Sequence, residues 1–153
     1  MVQGAGAETA IAAKLIPLVQ QRWKFKFNQP VPRYGDVNVF AISPNGNLYP
    51  IKVKAIKGKV HCEGGRLFVL PNSIRERSFG GRNLLLQCRG QAEAIRVQYR
   101  IRNVYLILCF ANAVMDLKVS SIDGVEIVTG ADVVERLQLL DRQLNMMNST
   151  PYC

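Results

Sequence analysis

The fold class this chain predicts is α/β, a mixed sheet flanked by helices. Three observations carry it. Apolar stripes recur at helical spacing in three separate segments, a period-two hairpin lies between the first two, and a continuous apolar run marks a buried strand before the third. With 153 residues and 48% hydrophobic content the chain can close one core. One domain over residues 4–144, followed by a frayed tail at 145–153, is therefore expected.

Residues 4–22 repeat apolar side chains at Ile11, Leu15 and Leu18 or Val19, the spacing of a core-facing helix, which Pro17 should shorten or kink. Glu8 lies above Ile11, Ala12 and Leu15 on that wheel. Its carboxylate either leans towards the covered side or serves as a first-turn acid on the helix dipole. Trp23-Lys24-Phe25-Lys26-Phe27 alternates as a strand with its aromatics towards the core, and Pro30 and Pro32 form a loop leading onward.

The hairpin that follows gathers polar side chains on one face. Its arms, residues 35–40 and 51–54, alternate around Ser43-Pro44-Asn45-Gly46, which has the residues of a type I turn followed by a glycine able to take positive φ. Pairing Ser43 with Asn47 sets Asn38 opposite Lys52 and Asp36 opposite Lys54. Val37, Val39 and Ala41 then share the other face with Ile51, Val53 and Ala55. The four polar groups form a square in which function is expected to reside.

Beyond the hairpin, residues 58–69 read as two short strands around Glu63-Gly64-Gly65, and 71–81 as a basic loop with Arg75 and Arg77, adjoined by Arg82. Asn83 reads as the N-cap of a second helix reaching about residue 100, with Leu85, Cys88, Ala92, Ile95 and Tyr99 inward and Gln87 and Gln91 beside that stripe. Residues 104–110 form a buried strand and 125–129 another. A closing helix over 132–144 turns Val133, Leu137 and Leu140 inward.

Net charge is +9 and unevenly spread: residues 1–103 hold 17 Lys and Arg against 5 Asp and Glu, while 104–153 hold 3 against 6. The first two-thirds, at +12, favours a polyanionic partner through phosphate contacts and counterion release. Nucleic acid is the expected partner, DNA ahead of RNA. The longest apolar run falls short of the roughly 20 residues of a membrane helix, and no secretory signal stands at the N-terminus, so a cytoplasmic protein without a membrane span is expected. Four cysteines at 62, 88, 109 and 153 match neither a zinc pattern nor a disulfide framework, and His61 reads as a strand residue.

Several short patterns occur in a telling order. Gly6-Ala7-Glu8 stands in the first helix, Gly35-Asp36-Val37-Asn38 on the first hairpin arm, and Lys52-Val53-Lys54 with Gly58 on the second. Asn83-Leu84-Leu85-Leu86-Gln87 enters the second helix, and Gly124-Val125-Glu126-Ile127-Val128 precedes the last. This order resembles the nuclease-related domain, a branch of the PD-(D/E)xK nucleases, over about residues 4–142. The resemblance implies a restriction-endonuclease-like core and a site built from Glu8, Asp36, Asn38, Lys52, Lys54 and Gln87. It also implies Mg²⁺ as cofactor, held by Glu8 and Asp36 if by anything.

Phosphodiester cleavage in that superfamily uses carboxylates to hold the cation that polarises the phosphate, beside a strand lysine. Here the main aspartate position is Asn38 and the acidic position two before the lysine is Lys52. The expectation is therefore a nuclease-like domain with metal-dependent cleavage lost or impaired and no bound Mg²⁺, in which Asp36 pairs with Lys54 and Glu8 with Lys52. Nucleic acid would be held by Lys57, Lys59, Arg75, Arg77 and Arg82 together with the fork lysines. Two alternatives stand beside it: an active Mg²⁺-dependent endonuclease that recruits Glu63 or Glu76 or whose residues 38 and 52 are engineered substitutions, and an assembly module that self-associates through residues 104–110 or the acidic last helix.

Overall fold

A computed structural model describes residues 2–64, 66–70, 77–78, 83–117 and 119–149. Helix α1 (Val2–Gln20) turns Ala7, Ile11, Leu15 and Leu18 into the core. Pro17 does not shorten it. The helix runs three residues further, and the chain then closes on Leu18, whose carbonyl accepts from Gln21 N at 2.9 Å and Trp23 N at 3.0 Å. These bonds satisfy carbonyls that the helix end leaves open.

Eight strands follow among the described residues: β1 (Lys24–Val31), β2 (Gly35–Ile42), β3 (Leu48–Glu63), β4 (Arg66–Leu70), β5 (Arg77–Ser78), β6 (Ile107–Met115), β7 (Ser121–Ile122) and β8 (Val125–Thr129). Helix α2 (Leu84–Tyr99) lies between β5 and β6, and α3 (Val133–Ser149) closes the described chain. The main path of the sheet is β1-β2-β3-β6-β8-β7, with β4 and β5 branching from β3. Pairing is parallel at β3–β6 and β6–β8 and antiparallel elsewhere, so the sheet is mixed. Its antiparallel part comes from local hairpins, and the parallel β3–β6 pair is joined through the α2 crossover.

Two layers of helix cover it. On one face α1 and α3 bury Ile11, Leu15, Val133 and Leu137 against Val39, Ile51, Ile107 and Cys109. On the other, Leu85 and Cys88 of α2 meet Leu108, Phe110 and Ile127, while Ile95 packs with Val31, Val37 and Phe40. Asn83 caps α2 as expected, its side chain accepting from Leu86 N at 3.1 Å.

Several expectations shift. The two hairpin segments on either side of Lys57 are one 16-residue strand, because Gly58, at φ 124, sits inside β3 without ending it. Pro30 lies within β1, opposite Asp36 of β2, at the edge of the sheet where proline is tolerated. Phe27, expected inward, is 48% exposed on that same edge. Strand β6 begins at Ile107 and reaches Met115, later at both ends than residues 104–110. Helix α3 runs to Ser149, past the frayed tail expected from residue 145, since Arg142, Gln143, Leu144 and Met146 are all good helix formers.

The hairpin turn is clamped to α3 by a side chain that stripe-counting did not single out. Asp141, 6% exposed, accepts at Oδ1 from Asn47 Nδ2 (2.9 Å) and from the Tyr49 hydroxyl (2.8 Å), and at Oδ2 from Asn45 Nδ2 (2.9 Å). Burial alone would push this carboxyl up. The donors Asn47, Ser43, Tyr49 and Asn45 outweigh burial and hold it below its ordinary value. Tyr49 responds oppositely: burial first, then the neighbouring carboxylate, raises its phenol far above the usual range.

Candidate functional site

The hairpin register is the expected one as far as it goes. Ser43 N donates to Asn47 O at 2.9 Å, and the pairs run Ile42↔Leu48, Ala41↔Tyr49, Phe40↔Pro50, Val39↔Ile51. There the ladder stops. One more step would give the Val53 N–H to the Val37 carbonyl, but it goes instead to Asn38 Oδ1, at 2.7 Å. Strands β2 and β3 thus diverge below Val39, and an amide side chain bridges the fork. Val37 correspondingly leaves the face of Val39 and packs with Val31, Phe40 and Ile95.

The other end of the same amide is also engaged. Asn38 Nδ2 donates to Glu8 Oε1 at 2.7 Å, joining β2 to α1 across 30 residues of sequence. The Val53 N–H can only donate, so its partner must be the amide oxygen, and this fixes the orientation of Asn38. Lys52 spans the fork a second time, its ammonium donating to the backbone carbonyl of Asp36 at 2.8 Å. Asp36 pairs with Pro30 of β1, which has no N–H to offer that carbonyl.

Burial first, and Lys54 second, hold the Lys52 amine below its ordinary value, while Cys88, Asp36 and Glu8 act in the opposite direction. Lys52 is therefore close enough to feel Glu8, Asp36 and Lys54. The expected ion pairs are a different matter. Among the described residues neither Asp36 with Lys54 nor Glu8 with Lys52 forms a salt bridge; the ladder on which that opposition was drawn ends before reaching them.

Gln87 is half-buried and reaches only the Tyr34 carbonyl, at 3.5 Å. Gln91, one turn on, takes that carbonyl at 2.8 Å and is fully buried. Helix α2 is thereby tied to the residue just before β2, an approach so close that a Cβ on Gly90 would run into the Tyr34 ring. Of the two glutamines, Gln91 makes the shorter bond to the Tyr34 carbonyl.

Lys57 and Lys59 continue along β3 as exposed cations. Between Lys54 and Lys57 the parallel pairing with β6 shifts by one residue, a bulge at the mouth of the fork. Arg75 and Arg82, like Glu76, lie outside the described residues, and Arg77 is described only as backbone of β5. Glu63 closes the β3–β4 turn opposite Arg66, at the far end of β3. Cys88 and Cys109 are buried and their thiols pushed up to about 12 by that burial, which leaves them unreactive near neutral pH. His61 stacks on Phe68 with ring centroids 5.8 Å apart, in keeping with a strand residue.

No family model matches the chain, and no curated protein matches it. Among solved structures, the chain is similar to the crystal structure of a repair endonuclease from Pyrococcus abyssi, with a TM-score of 0.40 and 18% identity. The match covers 84% of this chain and 42% of that one, so the chain spans less than half of that protein's length. Among the described residues no helix is long and apolar enough to cross a membrane.

Proposed function

We propose that this chain is a nuclease-like domain of restriction-endonuclease-like architecture, related to the nuclease-related domain, that grips nucleic acid without cutting it by a metal-dependent route. The observation that carries the reading is the double engagement of Asn38. Its oxygen accepts from Val53 N and its nitrogen donates to Glu8, so the amide is held by protein partners at both ends and brings no negative charge to the fork.

The residues at the fork do not fit Mg²⁺. A hard cation needs several oxygen ligands, most of them anionic. Glu8 is committed to an amide donor, Asn38 offers no charge, and the Lys52 ammonium stands where the resemblance expects an acid. Asp36 remains exposed on the strand. A donor set this poor in anionic oxygens, with an ammonium beside it, gives weak support for a bound cation, and no hydrolytic step through a metal is assigned to the fork.

What the fork does offer is positive charge that is already held in place. Lys52 is fixed by a backbone carbonyl, Lys54 stands beside it, and Lys57 and Lys59 extend the row along one strand. A row of this kind contacts phosphates along a backbone without reading sequence. DNA is the first polyanion to test. Binding of a labelled oligonucleotide, followed by fluorescence anisotropy between about 50 and 200 mM salt, should weaken with a log–log slope of about −3 if four lysines take part. Lys52→Gln and Lys54→Gln should each flatten that slope by roughly 0.7–0.9. Affinity that does not change with salt would remove the reading.

A further inference from the structure

We infer that the groove between α1 and the outer half of β3 seats one unpaired nucleotide beside the fork lysines, so that a single strand is the preferred form of the nucleic acid. This rests on the nucleic-acid reading above. The groove has a volume of about 430 Å³ and is lined by Gly6, Ala7, Ala10, Ala55, Lys57 and Asn112. That lies within the range of roughly 300–1,000 Å³ of small-ligand pockets, at the scale of one nucleotide.

Its position ties it to the fork. Ala7 precedes Glu8, and Ala55 follows Lys54, so the groove begins where the fork opens. Lys57 and Asn112 are partners across the β3–β6 ladder and stand side by side at its rim. The chemistry is divided accordingly: methyl-lined walls suit the faces of a base or sugar, an amide can donate to and accept from a base edge, and an ammonium meets the next phosphate.

Gly6 supplies a second observation. It sits inside α1, its φ is not positive, and a Cβ built on it would meet nothing within 4 Å. Glycine there weakens the helix by about 1 kcal/mol relative to alanine. No packing among the described residues requires the bare Cα. Its effect is to keep one wall of the groove open.

A stacked base pair shows only its edges, and a base reaches such a recess only when it leaves the stack. An unpaired nucleotide avoids that unstacking cost, which predicts the strand preference. The test compares a fluorescein-labelled single strand of roughly 15 nucleotides with a blunt duplex of the same length, in one buffer. The wild-type chain should bind the single strand about tenfold more tightly, and Gly6→Leu, which fills the groove, should abolish that preference while leaving duplex binding unchanged. Asn112→Ala, at an exposed position, gives a second route to the same loss without touching the core. Equal affinity for the two forms with an intact salt slope overturns the groove assignment alone. A preference that survives Gly6→Leu in a folded protein also overturns it, and no binding to either form overturns the nucleic-acid reading with it.

Discussion

Asn38→Asp combined with Lys52→Glu should turn the fork into a cation site and bring Mg²⁺- or Mn²⁺-dependent cleavage of single-stranded or plasmid DNA above background. The change is three charge units, one from Asn38 and two from Lys52. Two carboxylates would join Glu8 at the divergence of β2 and β3, with Lys54 kept beside them. Glu8, no longer bonded to an amide donor, would face the new carboxylate of β2 across a gap that a divalent cation bridges. A cation that polarises a phosphate contributes several kcal/mol in the transition state, a factor of roughly 10² to 10³ in rate. Either single substitution should fall short, since Asn38→Asp leaves the ammonium in place and Lys52→Glu leaves the amide bonded to Glu8. Without metal the double variant should lose stability, as three carboxylates would crowd one fork. Its Tm should then rise steeply with added Mn²⁺, which checks the site independently of turnover.

Asp141→Ala should be the most damaging single substitution outside the apolar core. It strands the Tyr49 hydroxyl, which is buried, along with the amides of Asn45 and Asn47. Leaving a buried donor unpaired costs about 1–3 kcal/mol. For the three together a loss of about 3 kcal/mol is expected, seen as a Tm lower by roughly 6–12 °C. Tyr49→Phe removes one donor and should cost about 1 kcal/mol. The double variant should cost less than the sum, because the two residues share one bond.

The same carboxylate sets an acid limit. Its folded-state pKa is held below the ordinary value by its donors, burial notwithstanding, so it contributes stability that is fully present above the unfolded carboxyl pKa of about 3.9. That contribution is lost as pH falls through the depressed folded value. The gap in Tm between wild type and Asp141→Ala should therefore be constant near neutral pH and narrow as the pH falls below about 4.

Features set by near neighbours were legible in the chain. The Ser43–Asn47 closure, the Asn83 cap and the stripe through Leu85, Cys88 and Ile95 each depend on residues within a turn or two of one another. The order of helices and strands followed from these. The interior of the site did not. Placing Asn38 opposite Lys52 assumed that the ladder continued, whereas the strands part at Val39 and the side chains bond to backbone groups instead. Glu8 meets Asn38 only because α1 lies across the sheet, and Asp141 meets Asn47 across 94 residues. Such contacts leave no periodic trace, although three polar residues, Asn45, Asn47 and Tyr49, close to one turn mark a place where an acceptor is wanted. Lys52 reaching a carbonyl opposite Pro30 follows from a missing N–H, a signal present in the sequence but readable only once β1 and β2 are paired.

Crystals of the unaltered protein soaked in Mn²⁺ and measured for anomalous scattering test the central claim most directly. The amide of Asn38 and the ammonium of Lys52 should hold the fork closed, bonded to Glu8 and to the Asp36 carbonyl, with no anomalous peak within coordinating distance of either carboxylate. A six-coordinate peak shared by Glu8 and Asp36, with Lys52 swung aside, would contradict it.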